Sequence, residues 1–402
     1  MKGFLVFLVT LPLLLAGCGG SATDPAVDRA EVAAIAQRAM AQYRLRSLIL
    51  RVTVDGQPLY SQALGESADG VPATEDMHVR NGFVAYSYLT TVLMELVDRE
   101  QISLGDKLSR YFPDLPRAGD ITIRMLANST SGYADYVYQP EVSDGVDADP
   151  FRQWATDDLI RIGTRAPAMF APGTNFGYSH TNYAILGQVL EQAGRAPLSQ
   201  LMQRYIFQPM GLRQTTGSDT PAIPAPVLQT YSSERREGMG IAPGAPFYEN
   251  TTYWNPSWTA PAGALQTTDV ADLTTSIAAI GSGKLLSPRS RDEQVEPHLI
   301  GFGFTPEDGS CNVCRENTRS FSFGLGVVLL GPWITGNKFF AGSGAAVGYL
   351  PARKIAIAVI TTYLPDAFDA TTGQVSDAGP KILMDVAAAL APDQPIPAPA
   401  AK

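Results

Sequence analysis

The chain has 402 residues, of which 45% are hydrophobic and 17% are charged, and its formal net charge is −9 at pH 7. This apolar content is enough for a large core and excludes an intrinsically disordered protein. The acidic balance argues against a nucleic-acid-binding surface, so we expect no nucleic acid among the partners. Length alone allows two or three domains.

The N-terminus has the pattern of an exported protein. Lys2 gives a short positive region, and the apolar stretch FLVFLVTLPLLLA after it is too short for a membrane span. The stretch ends in Leu-Ala-Gly-Cys, which is similar to a bacterial lipobox. We expect residues 1–17 to be a signal peptide, Cys18 to be lipidated and residues 18–28 to be a tether. The chain would then be anchored to the outer face of a bacterial membrane. The alternative is an ordinary signal peptide with a chance cysteine.

The other two cysteines, Cys311 and Cys314, form a C-x-x-C pattern. The chain has no second cysteine pair and only three histidines, which disfavours a zinc site. Exported proteins meet oxidising conditions, so the spacing predicts a disulfide that closes a short loop rather than a redox or metal site. We expect no metal and no cofactor.

Strand patterns lie at both ends of the chain, and helical patterns lie between them. The predicted elements are a helix over 28–43, a hairpin of 48–54 and 59–65 around Asp55-Gly56, a mostly helical region over 74–297, strands at 321–330, 338–342 and 355–362, and a helix over 379–390. This order predicts one α+β unit over residues 29–392, with an antiparallel sheet from both chain ends, flanking helices and an inserted helical region. Residues 393–402 predict a loose Pro/Ala-rich tail.

Six segments, in the right order, resemble one known family. They are residues 102–116 (ISLGDKLSRYFPDLP), 121–136 (ITIRMLANSTSGYADY), 170–192 (FAPGTNFGYSHTNYAILGQVLEQ), 262–275 (AGALQTTDVADLTT), 282–288 (SGKLLSP) and 349–362 (YLPARKIAIAVITT). The family is that of the serine β-lactamases and penicillin-binding proteins, in its class C and D-alanyl-D-alanine carboxypeptidase branch. The resemblance covers nearly the whole mature chain and implies the β-lactamase/transpeptidase-like fold.

The same resemblance shows which catalytic groups are missing. An active member has a Ser that opens a helix, a Lys one turn later, a Tyr followed two residues on by an Asn, and a Lys or His on an edge strand. Here Phe83 stands at the Ser position and Tyr86 at the Lys position. Tyr178 is kept, but His180 replaces the Asn. The edge-strand triplet aligns best with Gly-Ser-Gly at 342–344, so Gly342 replaces the basic residue.

A relocated nucleophile is one alternative to a loss of activity. Ser343 would face the cleft if the triplet alignment holds, and His180 could then act as its base, although the sequence offers no obvious acid to orient the imidazole. Ser87 is more typical of a core hydroxyl that bonds to backbone, and Ser179 should point away from the cleft. For Phe83, the simplest interpretation is an apolar residue that fills the former cleft floor.

Three classes of function remain open. The first and preferred one is a membrane-anchored pseudoenzyme that binds a peptide, glycan or ester ligand in the old cleft, or a protein partner. The second is a serine hydrolase, an esterase or peptidase, with a relocated nucleophile. The third is a structural or assembly factor of the cell envelope. Loss of the nucleophile in a triad enzyme lowers the rate about a million-fold, so the old centre itself would not keep a useful activity.

Overall fold

The computed structural model describes residues 25–82, 84–217, 220–307 and 309–398. The positions Cys18 and Phe83 lie outside the described residues, as do the predicted signal peptide and most of the tether. In the part of the chain that is described, no helix is long and apolar enough to cross a membrane.

Strands occur near both ends of the described chain, as predicted, with short ones between. They are β1 (Leu45–Val54), β2 (Gln57–Ala68), β3 (Val71–Pro72), β4 (Val79–Arg80), β5 (Thr216–Gly217), β6 (Tyr231–Ser232), β7 (Glu249–Asn250), β8 (Gln266–Thr268), β9 (Ser322–Phe323), β10 (Val328–Leu330), β11 (Trp333–Phe340), β12 (Ser343–Leu350) and β13 (Ile355–Tyr363).

Helices fill the middle of the chain and flank the sheet. They are α1 (Pro25–Gln42), α2 (Val84–Asp98), α3 (Ile123–Ala127), α4 (Pro140–Ala148), α5 (Thr156–Arg165), α6 (His180–Gly194), α7 (Leu198–Met202), α8 (Gln208–Met210), α9 (Val270–Ser282), α10 (Pro288–Val295) and α11 (Gly379–Leu390).

One antiparallel sheet brings the two chain ends together. Its strand order is β3-β2-β1-β13-β12-β11-β10-β9, so the first long strand lies beside the last one. The β1–β2 hairpin turns at Asp55 and Gly56, which both have positive φ (50° and 77°). Two such residues form the tight turn whose twist matches that of the strands, which confirms the predicted hairpin.

Each face of the sheet packs against its own apolar core. One core joins α1 and α11 to residues such as Leu48 and Val359. The other joins the inserted helices, α2, α6 and α9 among them, to residues such as Ile49 and Ile360. Because side chains alternate along a strand, neighbouring residues of β1 serve opposite cores. The predicted antiparallel sheet with an inserted helical region is confirmed.

The end of the described chain packs against the sheet. The Trp333 indole donates a 2.7 Å hydrogen bond to the Gln394 carbonyl. Ile396 is buried, and Pro397 lies close to Gly331. Residues 393–398 of the predicted loose tail are therefore held against the start of β11.

Candidate functional site

The start of α2 is fixed between the sheet and the inserted helices. β4 pairs with β8 just before the helix begins, and every residue from Val84 to Met94 is buried. A helix that is buried on all sides has no freedom to shift its register. The first turn of α2 is therefore a rigid part of the site.

Tyr86, one turn into α2, lies inside an aromatic cluster. Its ring stacks on that of Tyr183, with 4.2 Å between centroids, and meets Tyr178 and His180 edge-on at 6.3 and 6.0 Å. Its hydroxyl donates to the Thr259 backbone carbonyl. The position that carries the amine in active relatives is thus occupied by a buried phenol with a hydrogen-bond partner.

Tyr178 and His180 lie at the N-terminus of α6. Ser179 has extended backbone and is the N-cap residue, so His180 opens the helix. The His180 Nδ1 atom lies 2.8 Å from Asp135 Oδ2, and the Tyr178 and His180 rings are 5.1 Å apart. Asp135 is almost fully buried and also accepts a hydrogen bond from the Val137 backbone N–H. His180 therefore has an acidic partner that orients its ring.

The two tyrosines are held in their neutral forms. Burial raises the pKa of Tyr86 well above its ordinary value, and the nearby Asp135 carboxylate adds to this. Burial also raises the pKa of Tyr178, with further contributions from Tyr86 and Tyr183. A phenol that stays protonated at neutral pH can donate a hydrogen bond but cannot accept a proton as a general base.

A lysine on β11 reaches the start of α2. Lys338 is 9% exposed, and its stem fills the space beside Gly82, where a Cβ atom would lie 2.2–2.6 Å from Lys338 Cβ, Cγ and Cδ. Its amine donates to Ser343 Oγ at 3.3 Å. Beyond Thr335, where pairing with β10 stops, this part of β11 is the sheet edge. Lys338 is thus a basic residue on the edge strand next to α2.

The surroundings of Lys338 disfavour its charged form. Burial, followed by the Arg80 guanidinium, lowers the pKa of the Lys338 amine from 10.5 to about 7, against the opposing effect of the Asp377 carboxylate. Burial also lowers the pKa of Arg80 to about 10 and raises the pKa of Asp377 to about 6. At neutral pH a substantial fraction of the Lys338 amine is therefore unprotonated.

The structure places Gly342 away from the edge strand. Gly342 has φ of 76° and forms the turn between β11 and β12 together with Ala341. A Cβ atom at Gly342 would lie 1.8 Å from the Tyr231 carbonyl oxygen, so only glycine fits there. The residue that faces the start of α2 from the edge strand is Lys338, because β11 ends before the GSG triplet begins.

The serines considered as nucleophiles have other partners. Ser343 Oγ accepts from Lys338, while the His180 ring pairs with Asp135. Ser87 donates to the Gly326 carbonyl at 2.8 Å. Ser179 donates to the Ala134 carbonyl at 3.2 Å. The last two are buried hydroxyls that satisfy backbone groups.

The disulfide predicted between Cys311 and Cys314 is present. Cys311 packs on Met169, and it lies so close to Gly177 that a Cβ atom there would be 3.2 Å from the sulfur. Asn175 connects the same region, since its side chain donates to the Phe304 carbonyl and accepts from the Gly303 N–H. The disulfide loop therefore packs against the segment that leads into Tyr178 and supports it.

Two surface pockets of the described chain lie away from this cluster. One of about 200 Å³ is lined by residues of α10, β11 and the β10–β11 turn. Another, of about 190 Å³, lies between α5, α6 and residues 261–262. Among the described residues, no group of three or more His, Cys, Asp or Glu side chains is arranged to hold a metal ion.

Sequence reasoning missed two polar residues of the site. Asp135 lies 45 positions from His180, and only the fold brings them together. Lys338 could have been found, because it is the single charged residue between Trp333 and Leu350. A lone charge inside an otherwise uncharged strand segment is an unusual pattern and points to a buried, functional or paired group.

A family model and several known proteins match this chain. The model of the family described as Beta-lactamase matches residues 32–378. The chain belongs to the Beta-lactamase family. It is 29% identical over 206 residues to esterase EstB of Burkholderia gladioli, which covers 47% of this chain and 52% of that protein. It is 28% identical over 178 residues to the D-alanyl-D-alanine-carboxypeptidase/endopeptidase AmpH of Escherichia coli K12, covering 42% of this chain and 45% of that one. The chain thus spans about half the length of these curated relatives.

Solved structures share the fold over a longer stretch. The D-amino acid amidase of Ochrobactrum anthropi in complex with D-phenylalanine has a TM-score of 0.71 at 18% identity, and the match covers 90% of this chain and 99% of the amidase. EstCE1, described as a hydrolase with promiscuous acyltransferase activity, has a TM-score of 0.67 at 19% identity and covers 91% and 99%. The β-lactamase/transpeptidase-like fold is confirmed, because the amidase and EstCE1 share it with this chain over most of their length.

Proposed function

We propose that this chain is a membrane-anchored, extracytoplasmic member of the family that does not carry out the family's acyl transfer and acts by binding. Its ligand would be a peptide, glycan or ester, bound beside Tyr178 and His180 at the N-terminus of α6. Esterase, amidase and carboxypeptidase are the activities named for the relatives, which supports an ester or a peptide as the ligand class.

The observation that carries the proposal is the environment of Tyr86. An amine at this position would take the proton of the attacking hydroxyl in an active relative. Tyr86 instead donates its own proton to the Thr259 carbonyl, and its ring is stacked on Tyr183. A buried phenol with a pKa raised well above 10 cannot take that role at neutral pH.

The family centre also lacks its nucleophile. Tyr178 keeps its proton at neutral pH because burial raises its pKa. The residue at position 83 is a phenylalanine, which has no nucleophilic atom. Without the nucleophile, what remains is binding and backbone donors, which give about a thousand-fold over water in a triad enzyme.

Ligand binding is expected at the partly exposed rim of the cluster. Tyr178 and His180 are the half-buried members, and His180 has its orientation fixed by Asp135. A preoriented imidazole can hydrogen-bond to a carbonyl or hydroxyl of a ligand at little entropic cost. The closely packed Tyr86 and Tyr183 would form the floor beneath it.

A thermal-shift experiment tests binding at this rim. With N-acetyl-D-alanyl-D-alanine at saturating concentration we expect a Tm rise of about 3 °C. His180→Ala should abolish the rise, whereas His298→Ala, at an exposed histidine that lies beside Glu293 and Glu296, should preserve it. An unchanged wild-type Tm with this peptide and with a panel of glycans and esters would contradict binding at this rim.

Membrane anchoring is tested at Cys18. Cys18→Ser should release the protein from membranes or leave it unprocessed, because the thiol is the group that carries the lipid. Membrane fractionation with gel migration measures both outcomes. If the variant fractionates and migrates like wild type, the lipoprotein assignment is wrong.

A further inference from the structure

We infer that Lys338, the basic residue on the edge strand of the site, activates Ser343 rather than residue 83, and that this nucleophile–base pair reacts with small activated esters and phosphoryl fluorides. The Lys338 Nζ atom lies 3.3 Å from the Ser343 Oγ atom. An amine beside a serine hydroxyl is the arrangement that Ser–Lys hydrolases use to activate the nucleophile.

The β11–β12 hairpin fixes the geometry of the pair. Lys338 lies opposite Ala345 and Ser343 lies opposite Phe340, so the two residues are diagonal neighbours on one face of the ladder. The two-residue turn sets this register, and both of its residues have positive φ. For Ala341, φ of 51° is the conformation that a two-residue hairpin turn requires.

Neighbouring groups keep the amine in a form that can accept a proton. Gly82 lets the Lys338 stem pack against the start of α2, where water is excluded. Arg80 lies on β4 and adds a positive charge nearby, while Asp377, before α11, opposes it. The result is an amine whose pKa is lowered to about 7, in the range of a general base at neutral pH.

The reaction balances with groups that the chain supplies. Ser343 Oγ attacks the carbonyl carbon of an ester, its proton passes to the neutral Lys338 amine, and the bond to the alkoxide or phenolate breaks. The leaving group then takes the proton from the Lys338 ammonium. With a phosphoryl fluoride an O–P bond forms, the P–F bond breaks, fluoride leaves and Lys338 holds the serine proton. Ser343 is only 2% exposed, so a small acyl or phosphoryl group is required.

Labelling with diisopropyl fluorophosphate tests the pair. We expect one stoichiometric adduct at Ser343 in the wild type, mapped by peptide mass spectrometry, with a labelling rate that rises between pH 6 and 8. Ser343→Ala should abolish the adduct. Lys338→Met and Lys338→Arg should each slow labelling at least about a hundredfold, because neither side chain accepts a proton. Arg keeps the positive charge, so a slow Lys338→Arg separates base loss from charge loss.

Ser47→Ala is the matched control. Ser47 is also a buried strand serine, but its hydroxyl lies 2.7 Å from that of Thr362 rather than from an amine, so labelling at Ser343 should be unchanged. An adduct at another residue, no adduct, or equal rates in wild type and Lys338→Arg would overturn the inference. None of these results bears on penicillin reactivity or on binding at His180, which test the proposed function.

Discussion

Combining Phe83→Ser, Tyr86→Lys and His180→Asn in a Ser343→Ala background is expected to give a folded protein that is acylated slowly by p-nitrophenyl acetate. The three changes rebuild the nucleophile, its amine and the orienting amide beside Tyr178. The Asp135 carboxylate acts electrostatically on position 86, so a lysine there would have a counter-ion. We expect an acylation rate about a hundredfold above the Ser343→Ala parent.

The single change Phe83→Ser is the control for this experiment. It supplies a hydroxyl without an amine at position 86, and Tyr86 and Tyr178 both keep their protons at neutral pH. We therefore expect it to stay at the level of the parent. Equal rates for the single and the combined variant would contradict this account of the missing amine.

Stability must be measured before activity in the combined variant. Tyr86→Lys removes the stack on Tyr183 and the hydrogen bond to Thr259, and His180→Asn removes the imidazole from Asp135. Losses of this kind cost about 3–5 kcal/mol in a core. A folded combined variant that is not acylated would show that the cleft geometry, and not only its side chains, differs from that of an active enzyme.

Lys338→Met is expected to stabilise the protein at pH 6–7 and to remove a pH dependence. In the wild type the amine is neutral in the folded state above about pH 7 but stays protonated in the unfolded state up to its ordinary pKa of 10.5. The unfolded state then binds the extra proton, so the free energy of unfolding rises as pH increases from 7 towards 10. Below pH 7 the folded state bears the full free-energy cost of the buried Lys338 charge.

The size of the stabilisation expected for Lys338→Met follows from the shift in the pKa of Lys338. A full shift from 10.5 to about 7 corresponds to at most about 4–5 kcal/mol, and the hydrogen bond lost at Ser343 offsets about 1 kcal/mol. Urea denaturation at pH 6.5 and at pH 9 measures the free energy of unfolding on both sides of the folded-state pKa of Lys338. Both pH values lie below the range in which tyrosines titrate. Lys354→Met, at an exposed lysine paired with Asp55, is the control. A Lys338→Met variant with the wild-type pH slope would mean that the folded-state amine is not perturbed.

Local turn chemistry explains why part of the fold was predictable. Asp55-Gly56 between two apolar runs specifies a hairpin without any tertiary information, and the structure has it. By contrast, β12 begins with Ser-Gly-Ala-Ala, a run of small residues that has neither alternation nor strong strand propensity. It is a strand because β11 and β13 pair with it on both sides.

In the candidate site, too, some positions follow from local sequence and others depend on the tertiary fold. Motif spacing places Tyr86, Tyr178 and His180 together, and the structure brings their rings within 6.3 Å of one another. Spacing alone favours the GSG triplet as the edge-strand position, whereas the β11–β12 register puts Lys338 there. The Asp135–His180 contact depends on how two loops meet, which no local pattern specifies.

The central claim is that the family's acyl-transfer centre is inactive in this chain, and intact-protein mass spectrometry with penicillin G tests it most directly. After prolonged incubation at a saturating concentration, we expect the wild-type mass to be unchanged and nitrocefin hydrolysis to stay at the buffer rate. A stoichiometric penicilloyl adduct on any serine of the wild type, or nitrocefin turnover that purifies with the protein, would contradict the account.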